Sequence, residues 1–413
     1  MGKACLTISG RLGLLLGGNK MGGLLREQVA IIGVGCTKFG ENFNQSWSDL
    51  AIEASFEACA DASVELKDIE AAWLGSFRPW IAGERNTGSP LAEALGFSYK
   101  PITLVSNICA TGLDALRNAC LAVASGMYEI VLAIGVEKMR DAGTRSLSLT
   151  NRTDFHPLIG KGRTAPSFFA SCAHRYFHEY GIGRETLAKV AVKNHRNGSL
   201  NPKAHLQREI TVEDVLKSPW VAEPLSILDS TTNSDGAAVA IVTRADLAKR
   251  FRSDYILMKG MGLSVGTERN IFDPEFSFLS FKPTQMAAQM AYHQAGIKSP
   301  RSEINMAEVH DCFTITEIIN YEDLGFANKG EGWRLIEEGA TTLEGKLPVN
   351  TDGGLKAFGH PIGASGLRMV YEVVKQLQEK AGPRQVRNAR LGLAHTLGGP
   401  AALAAVVVLG RHD

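Results

Sequence analysis

The chain reads as an α/β protein whose plan is stated twice, in an N-terminal half at 27–253 and a C-terminal half at 254–413. Two observations carry that reading. The strand-length segments are apolar throughout instead of alternating, as in sheets covered on both faces, and segments with helical spacing separate them. A similar order of elements then recurs after residue 253, and 413 residues exceed what a single hydrophobic core holds.

In the first half, Val29–Gly35 is predicted as a strand, Leu50–Ala62 as a helix, and Ala71–Leu74 and Ile102–Val105 as strands. The loop Asn107-Ile-Cys-Ala-Thr-Gly112 then runs into a helix on which Leu113, Leu116, Cys120 and Val123 recur at helical spacing. Glu129–Gly135 and Ala237–Val242 are buried strands. In the second half, Ile256–Met261 opens, Met286–Ala295 is helical, Met306–Val309 is a strand and Leu367–Leu377 a helix. Ala389–Ala394 and Ala404–Leu409 close it as strands. Matching the halves sets Asn107–Leu113 opposite His360–Leu367, each a loop leading into a helix, so both helix starts are expected to face one central site. About a hundred residues separate Gly135 from Ala237, too many for a connecting loop. An inserted loop domain at about 139–228, with helices at Phe168–Tyr180 and Arg184–Asn197, is expected to cap the site.

Residues 1–26 read as a leader, disordered or non-native, because Leu12–Gly18 is short and apolar without a convincing cleavage site. No apolar run approaches the ~20 residues that span a bilayer. A formal net charge of +1 without a long basic run gives no reason to expect a nucleic-acid partner. Seven cysteines, an odd number with no CxxC pair, suit a reducing compartment, and the cytoplasm is the expected location.

The chemistry starts at Cys109, between an apolar strand and a helix start, where the backbone dipole favours a thiolate that attacks thioesters. Any one cysteine taken alone is more often buried packing. Three segments of the second half join it. Glu308-Val-His-Asp-Cys-Phe313 brings His310 and Cys312 to a strand terminus, where α/β sites gather. Gly354-Leu-Lys-Ala-Phe-Gly-His-Pro-Ile-Gly-Ala-Ser-Gly366 sets His360 in a glycine-rich loop whose N–H groups can approach a ligand closely. His395-Thr-Leu-Gly-Gly399 forms a tight turn suited to offering an N–H to an oxyanion, with His395 a possible site residue beside it. His156, His174, His178, His195, His205 and His293 lack metal-ligand spacing and read as surface or packing residues.

Taken together, these segments resemble the thiolase family from about Val29 to Leu409. Asn350-Thr-Asp-Gly-Gly followed by Gly359-His-Pro-Ile-Gly-Ala-Ser-Gly366 is similar to the thiolase signature, and Cys109-Ala-Thr-Gly112 to its nucleophile loop. Pro361 favours thiolases over ketoacyl synthases, which commonly carry Thr there. His310-Asp-Cys-Phe313 resembles the sterol-carrier-protein type and its archaeal and bacterial relatives, in which His replaces the Asn of Asn-Glu-Ala-Phe. One departure matters: the C-terminal Cys-x-Gly of the best-known thiolases is here Thr396-Leu-Gly398, so the acid/base thiol must come from elsewhere.

The resemblance implies a five-layered α-β-α-β-α fold and reversible Claisen condensation or thiolysis of 3-ketoacyl-CoA, as in acetyl-CoA acetyltransferases. It assigns Cys109 as nucleophile, His360 as the acceptor of its proton and Cys312 as acid/base. His310 and His360 would hold the thioester oxygen, and the Cys109 and Gly398 amides the tetrahedral oxyanion. No metal or redox cofactor is implied; coenzyme A enters as part of the substrate, with Lys161, Arg163 and Lys203 candidates for its phosphates by charge. A homodimer or homotetramer is expected. Two alternatives stand beside this reading: a C-acyltransferase or carbon–carbon lyase of the same fold that needs a small zinc-ribbon/OB-fold acyl-CoA-binding partner, and a catalytically silent scaffold subunit.

Overall fold

The computed structural model describes residues 26–77, 88–141, 164–267 and 273–412. Residues 1–25 of the expected leader and 142–163 of the expected insertion lie outside them. The first half runs β1 (Val29–Cys36), α1 (Trp47–Ala62), β2 (Ala71–Gly75), β3 (Ile102–Val105), α2 (Thr111–Ala124) and β4 (Ile130–Glu137). Next come α3 (Ala165–Tyr180), α4 (Arg184–Ser199), a small hairpin of β5 (Trp220–Ala222) and β6 (Leu225–Ser226), and β7 (Gly236–Arg244). The second half holds β8 (Ile256–Val265), α5 (Lys282–Ala295), β9 (Met306–Glu308), α6 (Thr314–Asp323), α7 (Gly354–Phe358), α8 (Ile362–Leu377), β10 (Leu391–Gly398) and β11 (Leu403–Arg411).

Local chemistry sets the helix ends. Ser46 Oγ accepts from the Asp49 amide at 3.1 Å while the Asp49 carboxylate accepts from the Ser46 amide at 2.8 Å, a reciprocal cap for α1. Thr164 starts α3 in the same way, and Gly181, at φ +69°, stops it.

Nine strands form one mixed sheet in the order β3-β2-β4-β7-β1-β8-β11-β10-β9. The halves are thus joined edge to edge, through a short antiparallel seam of Ala30 with Leu257 and Ile31 with Ile256. Outward from that seam the order repeats, β1-β7-β4-β2 on one side and β8-β11-β10-β9 on the other. Strand directions repeat with it, two antiparallel pairings and then a parallel one. The stated-twice plan is therefore a repeat of topology.

Helices α2 and α8 pack on each other and on strands of both halves; α1 covers β1 and β7 from outside, and α5 covers β8 and β11. With α1 and α5 outside and α2 and α8 between, the two halves of the sheet act as separate layers joined at the two-pair seam, which gives helix–sheet–helix–sheet–helix. The repeat reaches single residues. A Cβ on Gly35 of β1 would lie 2.0 Å from the Ala54 carbonyl oxygen of α1, and one on Gly262 of β8 would lie 1.9 Å from the Ala287 carbonyl oxygen of α5. Each outer helix rests on its sheet at a glycine because no side chain fits there.

Candidate active site

The two central helices meet backbone to backbone at their N-termini. A Cβ on Gly112 of α2 would sit 2.8 Å from the Gly363 carbonyl oxygen of α8, and one on Gly366 would sit 2.7 Å from the Leu113 amide. This contact carries the loops ahead of both helices to one point, as the matching of the halves predicts. Ile108 takes φ +47°, a region β-branched residues enter only under constraint. Thr111 Oγ1 holds that turn, accepting from the Asn107 amide at 2.8 Å and donating to the Ile108 carbonyl at 2.5 Å. Cys109 is thereby turned toward α8.

Cys109 Sγ lies 3.3 Å from His360 Nε2. On the other side of the ring, His360 Nδ1 is 2.7 Å from Ser365 Oγ, and that hydroxyl donates its one proton to the Pro361 carbonyl at 2.8 Å. The hydroxyl must therefore accept from Nδ1–H, which leaves the Nε2 lone pair aimed at the thiol. Burial, reinforced by the nearby Arg368 charge, lowers His360 to about 3, so the imidazole is neutral and ready to accept a proton.

The thiol itself departs from the expectation of a resting thiolate. Cys109 stands two residues ahead of α2, and burial pushes its thiol up to about 12. Hydrogen bonds from the Gly399 amide and its own amide pull the other way and are outweighed, and the Glu137 charge adds to the rise. A neutral thiol beside a neutral imidazole is the resting state.

His310 follows β9, its ring edge-on to that of His360 with centroids 5.4 Å apart. Burial and the neighbouring imidazoles hold it well below the usual histidine range. Two second-half residues fix its backbone: Asn320 Nδ2 donates to its carbonyl at 2.8 Å, and its amide points at His395 Nδ1 at 3.5 Å. His395 is itself tied by Nε2 to Thr284 Oγ1 at 3.1 Å, so it props His310 from behind. Cys312 is buried with Thr316 Oγ1 3.9 Å away, and burial raises its thiol well above the usual range. Cys109, His310, Cys312 and His360 all line one cavity of about 570 Å³ whose wall is largely apolar, including Ile108, Phe169, Phe313 and Leu397.

Gly398 ends β10 opposite Leu403, and the amide that reaches the Cys109 sulfur is that of Gly399, one residue later. Of the charged candidates for coenzyme A, Lys161 and Arg163 lie outside the described residues. Lys203 is already engaged by the Cys36 carbonyl and by the Glu57 carboxylate at 2.6 Å, which argues against a phosphate role. His195 and His205 bond Arg208 O and Ser234 Oγ, each at 2.8 Å, in keeping with packing roles. Sequence reasoning missed Ser365, Thr316, Asn320 and Gly399. Two of these had a signal: Ser365 lies in the Gly-Ala-Ser-Gly run five residues after His360, and Gly399 closes the His395-Thr-Leu-Gly-Gly399 turn expected to offer an N–H, with Gly398 as the expected donor.

A thiol against a neutral imidazole, with a second histidine and a second thiol in the same apolar cavity, is an arrangement suited to covalent acyl transfer. Comparison with known proteins gives the family. The profile described as Thiolase, N-terminal domain matches residues 29–246, and Thiolase C-terminal domain-like matches 267–411. An acetyl-CoA acetyltransferase of Methanothermobacter thermautotrophicus is 41% identical over 93% of this chain and 100% of its own length. Sterol carrier protein 2 of Oryctolagus cuniculus is 33% identical over 93% of this chain and 72% of its own length. The solved structure of an Ltp2-ChsH2(DUF35) aldolase superposes with a TM-score of 0.81 at 26% identity, covering 94% of this chain and 99% of that one. The chain belongs to the thiolase family.

Proposed function

We propose that the chain is an acyl-CoA C-acyltransferase of the acetyl-CoA acetyltransferase type, working on 3-oxoacyl-CoA through an acyl group on Cys109. The contact of Cys109 Sγ with His360 Nε2 at 3.3 Å carries the reading. In thiolysis, the Cys109 sulfur attacks the 3-oxo carbonyl as its proton passes to His360 Nε2. The bond between C2 and C3 breaks, and Cys312 gives its proton to the departing C2 carbanion. Coenzyme A then takes the acyl group from Cys109, its thiol proton restores Cys312, and His360 returns the first proton to Cys109. Condensation is the reverse. Because burial keeps Cys312 protonated at rest, the acid role that opens thiolysis is the one its resting state suits.

Charge builds on oxygen twice along this path. His310 and His360 flank the thioester oxygen, and the Cys109 amide with the Gly398–Gly399 turn serves the tetrahedral oxyanion, one such donor being worth about 2.7–4 kcal/mol. One donor atom each from Cys109, His310 and His360 falls within 4.8 Å of the others, a spacing that a soft cation would bridge. We assign these donors to acyl chemistry, since Sγ and Nε2 already face each other with a proton to share, and activity is expected to survive a chelator.

A second reading has one specific observation behind it, the likeness to an aldolase whose name joins Ltp2 to ChsH2(DUF35). In that reading the site cleaves a carbon–carbon bond with a small partner protein bound. Further proposals concern setting. Six cysteines are free among the described residues and no described helix is long and apolar enough to cross a membrane, which fits a cytoplasmic enzyme. The edge strand β3 leaves Thr103 and Leu104 exposed, which fits a dimer built across that edge.

Thiolysis of acetoacetyl-CoA by free coenzyme A, with the chain alone, tests the main reading. Turnover lost in both Cys109→Ala and Cys312→Ala is the expected result. Turnover by Cys109→Ala would refute the mechanism, whereas an inactive wild type that still acylates Cys109 would favour the partner-dependent lyase.

A further inference from the structure

The helix α7 carries Lys356 four residues before His360. It is only 2% exposed, and it lines the cavity that holds Cys109, His310, Cys312 and His360. Among the described residues, no hydrogen bond or salt bridge engages its ammonium. Two carboxylates bear on it from a distance, Asp311 and Asp229. Both spend their oxygens elsewhere. Asp311 accepts from the Leu355 and Lys356 amides and from Asn194 Nδ2, and Asp229 accepts from the Ser226 amide and the Thr314 hydroxyl.

The cavity wall itself offers no anion, for among the described residues that line it none is Asp or Glu. Arg140, the other strong cation on that wall, has the Glu41 carboxylate as its partner. Burial lowers the Lys356 ammonium to about 8, which still leaves it charged at neutral pH. A buried charge without an ion pair or hydrogen bond is costly, so such a group is kept where a ligand completes it. In an acyl-CoA held at Cys109 the phosphates lie a whole pantetheine arm away from the reacting carbonyl, while Lys356 lines the same cavity as that sulfur. An interior cation therefore faces the acyl end of the thioester, where Phe169, Phe313 and Leu228 offer apolar wall to the intervening methylenes.

We propose that Lys356 is a specificity-determining residue that binds a carboxylate carried on the acyl chain, so that the preferred substrates are 3-oxoacyl-CoA thioesters of dicarboxylic acids. The inference rests on the acyl-transfer reading of the site. Its test compares kcat/KM for thiolysis of 3-oxohexanedioyl-CoA and 3-oxohexanoyl-CoA, equal in chain length and different in the terminal charge. The wild type favours the carboxylate by about tenfold or more, the size of a charge-assisted hydrogen bond. Lys356→Met loses about ten- to a hundredfold on the carboxylated substrate and stays within about threefold on the methyl-ended one, while Lys356→Arg retains the preference. A wild type without preference for the carboxylate overturns the proposal whether or not the variants fold. Equal losses on both substrates in Lys356→Met also overturn it, since that is the mark of a structural residue. Thiolysis of the methyl-ended substrate alone leaves the acyl-transfer reading intact and removes only Lys356; failure on both substrates without acylation of Cys109 removes both.

Discussion

At the scale of single residues, the site rests as a neutral thiol beside a neutral imidazole. Burial holds the Cys109 thiol near 12 and His360 near 3, so neither group titrates between pH 5 and 9. A folded-state thiol raised this far gains reactivity only as pH climbs toward its pKa. Alkylation of Cys109 by iodoacetamide is therefore expected to accelerate about tenfold per pH unit from pH 6 to 9, following the thiolate fraction. A rate that is flat from pH 5 to 8 would reveal an imidazolium–thiolate pair and contradict this state. Cys109, His310, Cys312 and His360 were all legible in the sequence because each sits in a short motif at a strand or helix terminus. The protonation of the thiol was not. It depends on how much water the cavity excludes, and the amide at the sulfur depends on a turn in which Gly399 and Ala401 both take positive φ, at +62° and +54°.

At the scale of elements, glycines decide where helices touch sheets and each other, and two of them separate stability from geometry. Gly262→Ala drives a Cβ to within 1.9 Å of the Ala287 carbonyl oxygen, a pair that does not line the cavity, whereas Gly112→Ala presses on Gly363 at the meeting of α2 and α8. Both are expected to destabilise by about 1–3 kcal/mol, the usual cost of overpacking. Only Gly112→Ala should also cut kcat sharply, because it spreads Cys109 from His360; equal kcat in the two variants, measured well below their melting temperatures, would show that the contact does not set the site. Most strands were legible within a residue or two, being unbroken apolar runs. The helix α6 was not, since Thr314-Ile-Thr-Glu-Ile-Ile-Asn-Tyr321 is rich in β-branched residues. Its Glu317 and Asn320 are buried and bonded to Asn350 and to the His310 carbonyl, contacts that only the tertiary fold supplies.

At the scale of the whole molecule, the site exists only because the halves join. Cys109 comes from the first half and His310, Cys312, His360 and Gly399 from the second, around two helices shared by both. The repeat was legible in the order of elements, but the edge-to-edge seam was not, because two residue pairs of β1 and β8 leave no pattern in the chain. The outer edge matters as well. Leu104 on β3 is 45% exposed at the end of the sheet, and Leu104→Arg is expected to turn a dimer into a monomer by light scattering, with an unchanged mass in the variant counting against assembly through β3. The central claim is that the acyl group rests on Cys109 while Cys312 handles the proton of the second substrate. Peptide mass spectrometry of Cys312→Ala after incubation with acetyl-CoA tests it most directly. An acetyl group on the peptide containing Cys109 without turnover to acetoacetyl-CoA is the expected result, and an adduct on any other residue, or full turnover by this variant, would contradict it.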